Sequence, residues 1–394
     1  MPLARDIRVL ALGQALTSTV ISLLTSVSSL SGEYLAPSAV LSTLPVSATV
    51  LGTLAMIYPA SSLMGRLGRR KGFMFKASLG IAGGAIAAIG LLSHSFLILT
   101  LGTFLLGLFN AFGQYYRFAA IDAAKNPEDK VMFVAVVMGA GVVGGIAGPF
   151  IGSHSAELIA STPYVGAFLA LLTICVLLAI SQMFLSPELG LDVKSPTTTE
   201  NGSNGIIDWP DFLKTSVICA TGFAVMTLTM NSAPLAIHHD GFSMHHSGVV
   251  LQFHFAMMYL PSFINPLTIR YIKVKGLVLA GVIVSATGCL LPLVSEQTLL
   301  VYILELSFSG IGWNFIFNGG TLLLTDTYNA AAKSRAQGIN SLLVYSANII
   351  ASFASGTVMA IFDWRFVNLA CIPLLIIAVF ALCHREKGHK EVSN

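Results

Sequence analysis

Two ionisable side chains stand inside apolar runs where a membrane would leave them little water. Glu305 lies about seven residues into a run at 298–322, and His254 about seven residues into a run at 247–269. A helix rises ~1.5 Å per residue, so each side chain sits ~10 Å below the start of its run. A carboxylate and an imidazole at equal depth could pair and could pass a proton. For His254 alone, a hydrogen bond to its own neighbours is the simpler account. A second pattern is Asn110, Gln114 and Arg117, spaced i, i+4, i+7 in the run 96–120. That spacing puts two amides and a guanidinium on one helical face, suited to lining an aqueous substrate cavity. Asn314, Asn318 and Thr321 repeat it in the run 298–322. Interhelical hydrogen bonding is the alternative. Arg117 lies near the end of its run, where a long cation can snorkel. It is read either as part of a charge relay or as a substrate contact. The runs contain no paired carboxylates and no nucleophile–base set, so an enzyme is not expected. No phosphate-binding loop appears, so ATP is not the expected driver.

The elements that must position these residues follow from composition. The 394-residue chain is 55% hydrophobic and only 10% charged, with mean hydropathy +0.80. Soluble domains carry about 25% charged residues. Twelve apolar segments can be drawn, roughly 8–30, 38–64, 73–93, 96–120, 131–153, 164–185, 212–235, 247–269, 276–294, 298–322, 336–361 and 364–383. With the N-terminus inside, only Arg365 of the 21 lysines and arginines falls on the outer side. That asymmetry predicts cytoplasmic termini. The net charge of +3 is topogenic and points to no nucleic-acid partner. The polar stretch 186–211 contains Pro187, Pro196 and the run Asn201–Gly205, the composition of a flexible cytoplasmic linker. It divides the chain into expected six-helix bundles at 1–185 and 212–394, the second with a short cytoplasmic tail.

A duplication reinforces that division. The cation cluster Arg66, Arg69, Arg70 and Lys71 demands a tight loop between two helices. Its punctuation returns 204 residues on, carrying Arg66 to Arg270, Arg69 to Lys273 and Gly72 to Gly276. The same offset carries Asn110 to Asn314, Asp122 to Asp326 and Gly152 to Gly356. A shared offset across charged, amide and glycine positions marks a duplicated half.

These residues also carry a resemblance. Ser61–Arg70, with Arg66, Gly68, Arg69 and Arg70 in place, resembles the loop motif of the major facilitator superfamily. Ser61 and Gly65 stand where that motif has glycine and aspartate. Gly144, Gly148, Pro149 and Gly152 resemble the fifth-helix motif of the superfamily's bacterial antiporters, with Ala135 where the motif has a further glycine. The resemblance implies an all-α membrane fold of twelve transmembrane helices in two six-helix repeats, rocking about a site near the bilayer midplane. It implies a charge relay at the inner gate between Asp122 and Arg69, mirrored by Lys273 and Asp326 and flanked by Arg66 and Arg270. It also implies that the helices bearing His254 and Glu305 line the cavity. Many proton-driven exporters have an arginine where this chain has Thr103. The glycines and Pro149 of the fifth segment are expected to form a hinge or a sealed packing face.

The expected function is therefore secondary active transport of a small organic solute by alternating access, as proton-coupled export. Glu305 and His254 are the expected coupling groups. The expected setting is a bacterial inner membrane, with a monomer working on solute and protons and needing no cofactor. A metal or metal–chelator substrate is an alternative, prompted by His238, His239, Asp240, His245 and His246 in one outer loop. A solvated polar loop explains those residues more simply, and no metal site is assigned. A membrane sensor with a transporter fold is a third reading. The five cysteines all fall in or at the end of apolar runs and form no Cys-x-x-Cys pair, so neither disulfides nor zinc are indicated.

Overall fold

The computed structural model describes residues 5–124, 127–159, 161–189, 205–329 and 332–384. It is an all-α membrane protein. The first helices are α1 (Arg5–Leu35), α2 (Leu44–Leu92), α3 (Phe96–Gly113) and α4 (Tyr116–Asp122). They are followed by α5 (Pro127–Ala156), α6 (Val165–Gln182), α7 (Trp209–His239) and α8 (Met244–Tyr259). The last are α9 (Asn265–Val294), α10 (Leu299–Thr325), α11 (Lys333–Ile361) and α12 (Trp364–Cys383). Among the described residues, eleven stretches are long and apolar enough to cross a bilayer.

Helices and predicted segments differ at three places, each for a local reason. The expected loop at the cation cluster is a single-residue break. α2 runs through two crossings and departs from helical geometry only at Gly68, at φ 78°, ψ 167°. Side chains rarely adopt that region, so glycine is what lets two helices join without a linker. The run 96–120 is likewise split at Gln114–Tyr115. There the amides of Gln114 and Tyr115 bond three residues back, to Ala111 and Phe112. The Tyr115 hydroxyl donates to the Ile57 carbonyl at 2.7 Å and anchors this tightened turn. The eighth segment is interrupted as well. α8 has 16 residues, or ~24 Å, less than a ~30 Å hydrocarbon core. The 3₁₀ turn Leu260–Phe263, entered through Pro261, and the first turns of α9 complete the crossing.

By contacts the chain groups into two units, Met1–Thr197 with Asn231–Ala256, and Thr198–Met230 with Met257–Asn394. Lipid gives no hydrophobic drive between helices, so close approach and hydroxyl bonds must hold them. In the first unit α3 lies against α2 through Gly52 and Gly107, where an added Cβ would strike backbone. Thr49 and Thr53 donate across that seam to the carbonyls of Thr103 and Gly107, each at 3.1 Å. In the second unit Gly281 and Gly312 bring α9 onto α10. Thr227 donates to Asn348 at 2.6 Å, and Thr229 lies 2.9 Å from Ser309.

Much of the expected linker, 190–204, falls outside the described residues. Its flanks are pinned. The Ser186 amide donates to Asp6 and the Arg69 amide to the Leu189 carbonyl, both at 3.0 Å in the first unit. In the second, the Ile206 amide donates to Asn329 at 3.2 Å and the Asp208 amide to the Thr327 carbonyl at 2.9 Å.

Candidate functional site

The first unit holds an ionisable residue that the sequence reading passed over. Lys76, two turns beyond Gly68 on α2, is 0% exposed. Its Nζ donates to Thr17 Oγ1 on α1. The ring centroids of Phe109 and Tyr116 each lie 4.5 Å from it. Phe73 stacks on the far side of Tyr116 at 4.1 Å and fixes that ring. The ion pairs among the described residues do not include Lys76. Taking an ammonium out of water costs several kcal/mol. Two desolvated cation–π contacts at about 2 kcal/mol each and a charged hydrogen bond of about 1.5–3 kcal/mol offset much of it. The signal was present in the sequence as a lysine four residues into the segment 73–93. Counting it as an inner-end cation hid it.

Asn110, Gln114 and Arg117 do not share one regular helix, because the tightened turn separates them. Asn110 donates to Thr53 at 3.3 Å. Gln114 and Arg117 are exposed, and the Arg117 guanidinium lies 4.9 Å from the Phe118 ring centre. In the second unit Asn314 is an amide hub. Its Nδ2 donates to the Met258 carbonyl at 2.6 Å and to Ser262 at 2.7 Å. Its Oδ1 accepts from Asn265 at 2.8 Å and Asn318 at 3.0 Å. These bonds tie α10 to the break after α8. Beside it, Trp313 and Phe317 are parallel at 5.5 Å, with Phe223 edge-on to both.

Glu305 is wholly buried in the second unit. Neither carboxylate oxygen has a hydrogen-bond partner among the described residues. An ionised carboxylate left unpaired at such a place would cost several kcal/mol. His254 is also fully buried, but it belongs to the first unit, with its ring edge-on to Phe255 at 5.7 Å.

The charge pair at the cation-rich end is formed: Arg69 Nε donates to Asp122 Oδ2 at 2.7 Å. Arg66, Arg270, Lys273 and Asp326 are exposed. Lys273 occupies the backbone place of Gly68 rather than that of Arg69. It is the non-helical residue inside α9, at φ 59°, ψ 173°. The repeat therefore slips by one residue at this break, and Val274 stands where Arg69 does. Sequence offset alone could not reveal the slip, because the charges on either side stay in step.

Gly144, Gly148 and Gly152 form a stripe on α5 facing α1. A Cβ on Gly144 would meet Ala15 and Thr19 backbone, and one on Gly148 would meet Ser22, Leu23 and Thr19. Ser22 donates to the Gly144 carbonyl at 2.9 Å. α5 is assigned as one helix through Pro149.

At the opposite end of the first unit a cavity of about 350 Å³ is lined by Glu157, Tyr164, His238, Phe242 and Met244, among others. Burial, then the Glu33 and Glu157 carboxylates and Tyr34, push the Tyr164 phenol up to about 12, so it remains a neutral donor. His239 pairs with Glu33 at 2.6 Å. His246 bonds Ser243 at 2.8 Å, and His245 meets the His154 ring edge-on at 4.8 Å. The histidines thus disperse to separate partners, and no group of three or more metal-ligating side chains forms among the described residues.

Comparison with known proteins fits this architecture. The chain is 31% identical over 385 residues to the riboflavin transporter RfnT of Brucella anthropi, covering 97% of this chain and 96% of that one. It is 25% identical over 351 residues to YddS of Bacillus subtilis, an uncharacterized MFS-type transporter, covering 82% and 78%. Among solved structures, the nucleoside transporter NupG superposes with TM-score 0.77 at 14% identity, covering 98% of this chain and 99% of that one. A bacterial homologue of the human lysosomal transporter Spinster superposes at 0.70 and 12% identity, covering 96% and 94%. Residues 10–261 match the Major Facilitator Superfamily, and the chain belongs to that family of membrane transporters.

Proposed function

We propose that this transporter couples proton movement to the passage of a small, planar, heteroaromatic solute of the riboflavin type, by alternating access. The observation that carries the coupling is Glu305, a buried carboxylate whose two oxygens are unpartnered among the described residues. Such a group is neutral while sealed and ionises when water reaches it. A proton is then bound in one state and released in the other. His254, buried in the first unit, is the second proposed proton group. The relative at 31% identity supports the solute class, and the Trp313–Phe317–Phe223 cluster offers ring faces of the right chemistry. Asn110, Gln114, Arg117, Asn314 and Asn318 are the proposed polar residues of the solute path.

Export is the proposed direction, on the likeness of the α5 stripe to that of antiporters. A bacterial inner membrane with cytoplasmic termini is the proposed setting, on the placement of lysine and arginine. Labelling of a single-cysteine Gly205→Cys variant by an impermeant reagent from outside intact cells would overturn the orientation.

The coupling test uses proteoliposomes with an imposed pH gradient and riboflavin as the first solute. Glu305→Gln keeps shape but cannot titrate. It should fold and exchange riboflavin, yet lose at least ten-fold in gradient-driven accumulation. Accumulation equal to the parent's would move the coupling site elsewhere.

A further inference from the structure

We propose that Lys76 is a second proton-binding site, held in the first unit, whose amine exchanges its proton with water during the transport cycle. The proposal rests on the proton-coupled reading above and adds a group that reading does not use.

The argument starts from what surrounds the amine. Thr17 supplies one acceptor from α1, Phe109 a ring face from α3, and Tyr116 a ring face from α4. The titratable neighbours are the Tyr116 hydroxyl and the Cys175 thiol of α6, both buried. The described ion pairs put no carboxylate on Lys76. A buried lysine kept only for packing would be better served by methionine, which fills similar volume with no charge to desolvate. A lysine kept for a fixed charge would be expected to have an anion beside it. Two ring faces and one hydroxyl do neither. They make the charged form tolerable without locking it in place, so a modest change in water access moves the proton.

Gly113 lets the amine pack close to its neighbours: a Cβ there would lie 3.0 Å from Thr17 Cγ2, 3.6 Å from Lys76 Nζ and 3.9 Å from Asn110 Oδ1. Asn110 is half-buried, and Gln114, one turn on, is exposed. Amide groups thus lead from the sealed amine towards the exposed face of the same unit. In each passage a proton from water joins the Nζ lone pair and later returns to water. No other bond changes.

The test has two arms, both on full-length protein in proteoliposomes. In the first, acetic anhydride acylates amines for a fixed time under opposed pH gradients, and peptides are read by mass spectrometry. Lys71, exposed on the same helix, is the control. Lys71 reads the pH of its own side, so Lys76 labelling is taken as a ratio to Lys71. Lys76 should be acylated, and that ratio should differ several-fold between the two gradients. Lys76 left unlabelled, or a ratio unchanged by the gradient, overturns the proposal. In the second arm Lys76→Gln and Lys76→Arg are assayed with riboflavin. Both should retain solute exchange and lose gradient-driven accumulation at least ten-fold. Parent-like accumulation in either variant overturns the proposal. If the parent does not carry riboflavin, the solute reading alone fails. If a variant does not fold, the acylation arm still decides, because it uses unaltered protein and needs no solute.

Discussion

Gly139 and Gly148 lie on one helix and should respond to one substitution with opposite signs. Ala is a better helix former than Gly by about 1 kcal/mol. A Cβ on Gly139 meets nothing within 4 Å, so Gly139→Ala should gain up to that amount. A Cβ on Gly148 falls against Ser22 Oγ, the Leu23 amide and the Thr19 carbonyl. Two of these are backbone and cannot rotate away, so α5 must back off α1. Overpacking of this kind costs about 1–3 kcal/mol. Less the propensity gain, Gly148→Ala should lose about 0–2 kcal/mol. The two variants should then differ by about 1–3 kcal/mol, from five-fold to over a hundred-fold in the unfolding equilibrium. Unfolding in mixed detergent micelles, titrated with dodecyl sulfate, reads the difference directly. Equal stability of the two variants would refute the close α1–α5 seam. The same pair separates a hinge from a packing face. A hinge glycine replaced by alanine would slow solute exchange at unchanged stability, whereas a packing glycine loses stability first.

Three further outcomes are expected. Asp122→Asn removes the carboxylate charge from a partly exposed pair worth about 0–1 kcal/mol. It should shift the conformational balance only a few-fold, seen as changed spin-label distances at the cation-rich end at unaltered expression. Lys273→Gly places glycine in a backbone region that costs other residues about 1–3 kcal/mol. It should raise the thermal midpoint, and a lowered midpoint would contradict the break in α9. Glu33→Gln should leave the fold intact but loosen the His239 contact, read as faster exchange of the α7–α8 loop amides. Unchanged amide exchange would show the pair to be without weight.

What the sequence disclosed was the frame. Apolar runs of fixed length and a repeated offset are properties of whole segments, and a bilayer constrains them strongly. The Arg69–Asp122 pair was legible because the loop motif supplied Arg69 and the family resemblance supplied an acidic residue at the end of the fourth segment. Three things were not legible. The break at Gln114–Tyr115 depends on a tyrosine reaching a carbonyl on α2, a contact far apart in sequence. The hub at Asn314 depends on where the chain turns after α8. The burial of Lys76 depends on which way α2 faces once Gly68 has broken it.

Lys76 and Glu305 also bear on how the duplication was used. The frame is kept in both halves: one non-helical residue joins two helices, at Gly68 and again at Lys273, and an asparagine sits on each of α3 and α10. Neither ionisable group is kept. By the repeat offset Lys76 corresponds to Ala280, and Glu305 to Leu101. A backbone break is needed wherever two crossings meet without a loop, so both copies retain it even at the cost of strain at Lys273. A buried charge is different. Each copy would cost several kcal/mol, so there is reason not to repeat it in both halves. An amine in one unit and a carboxylic acid in the other respond to water with opposite changes of charge. The buried amine lies in the first unit and the buried carboxyl group in the second, at positions the repeat does not share.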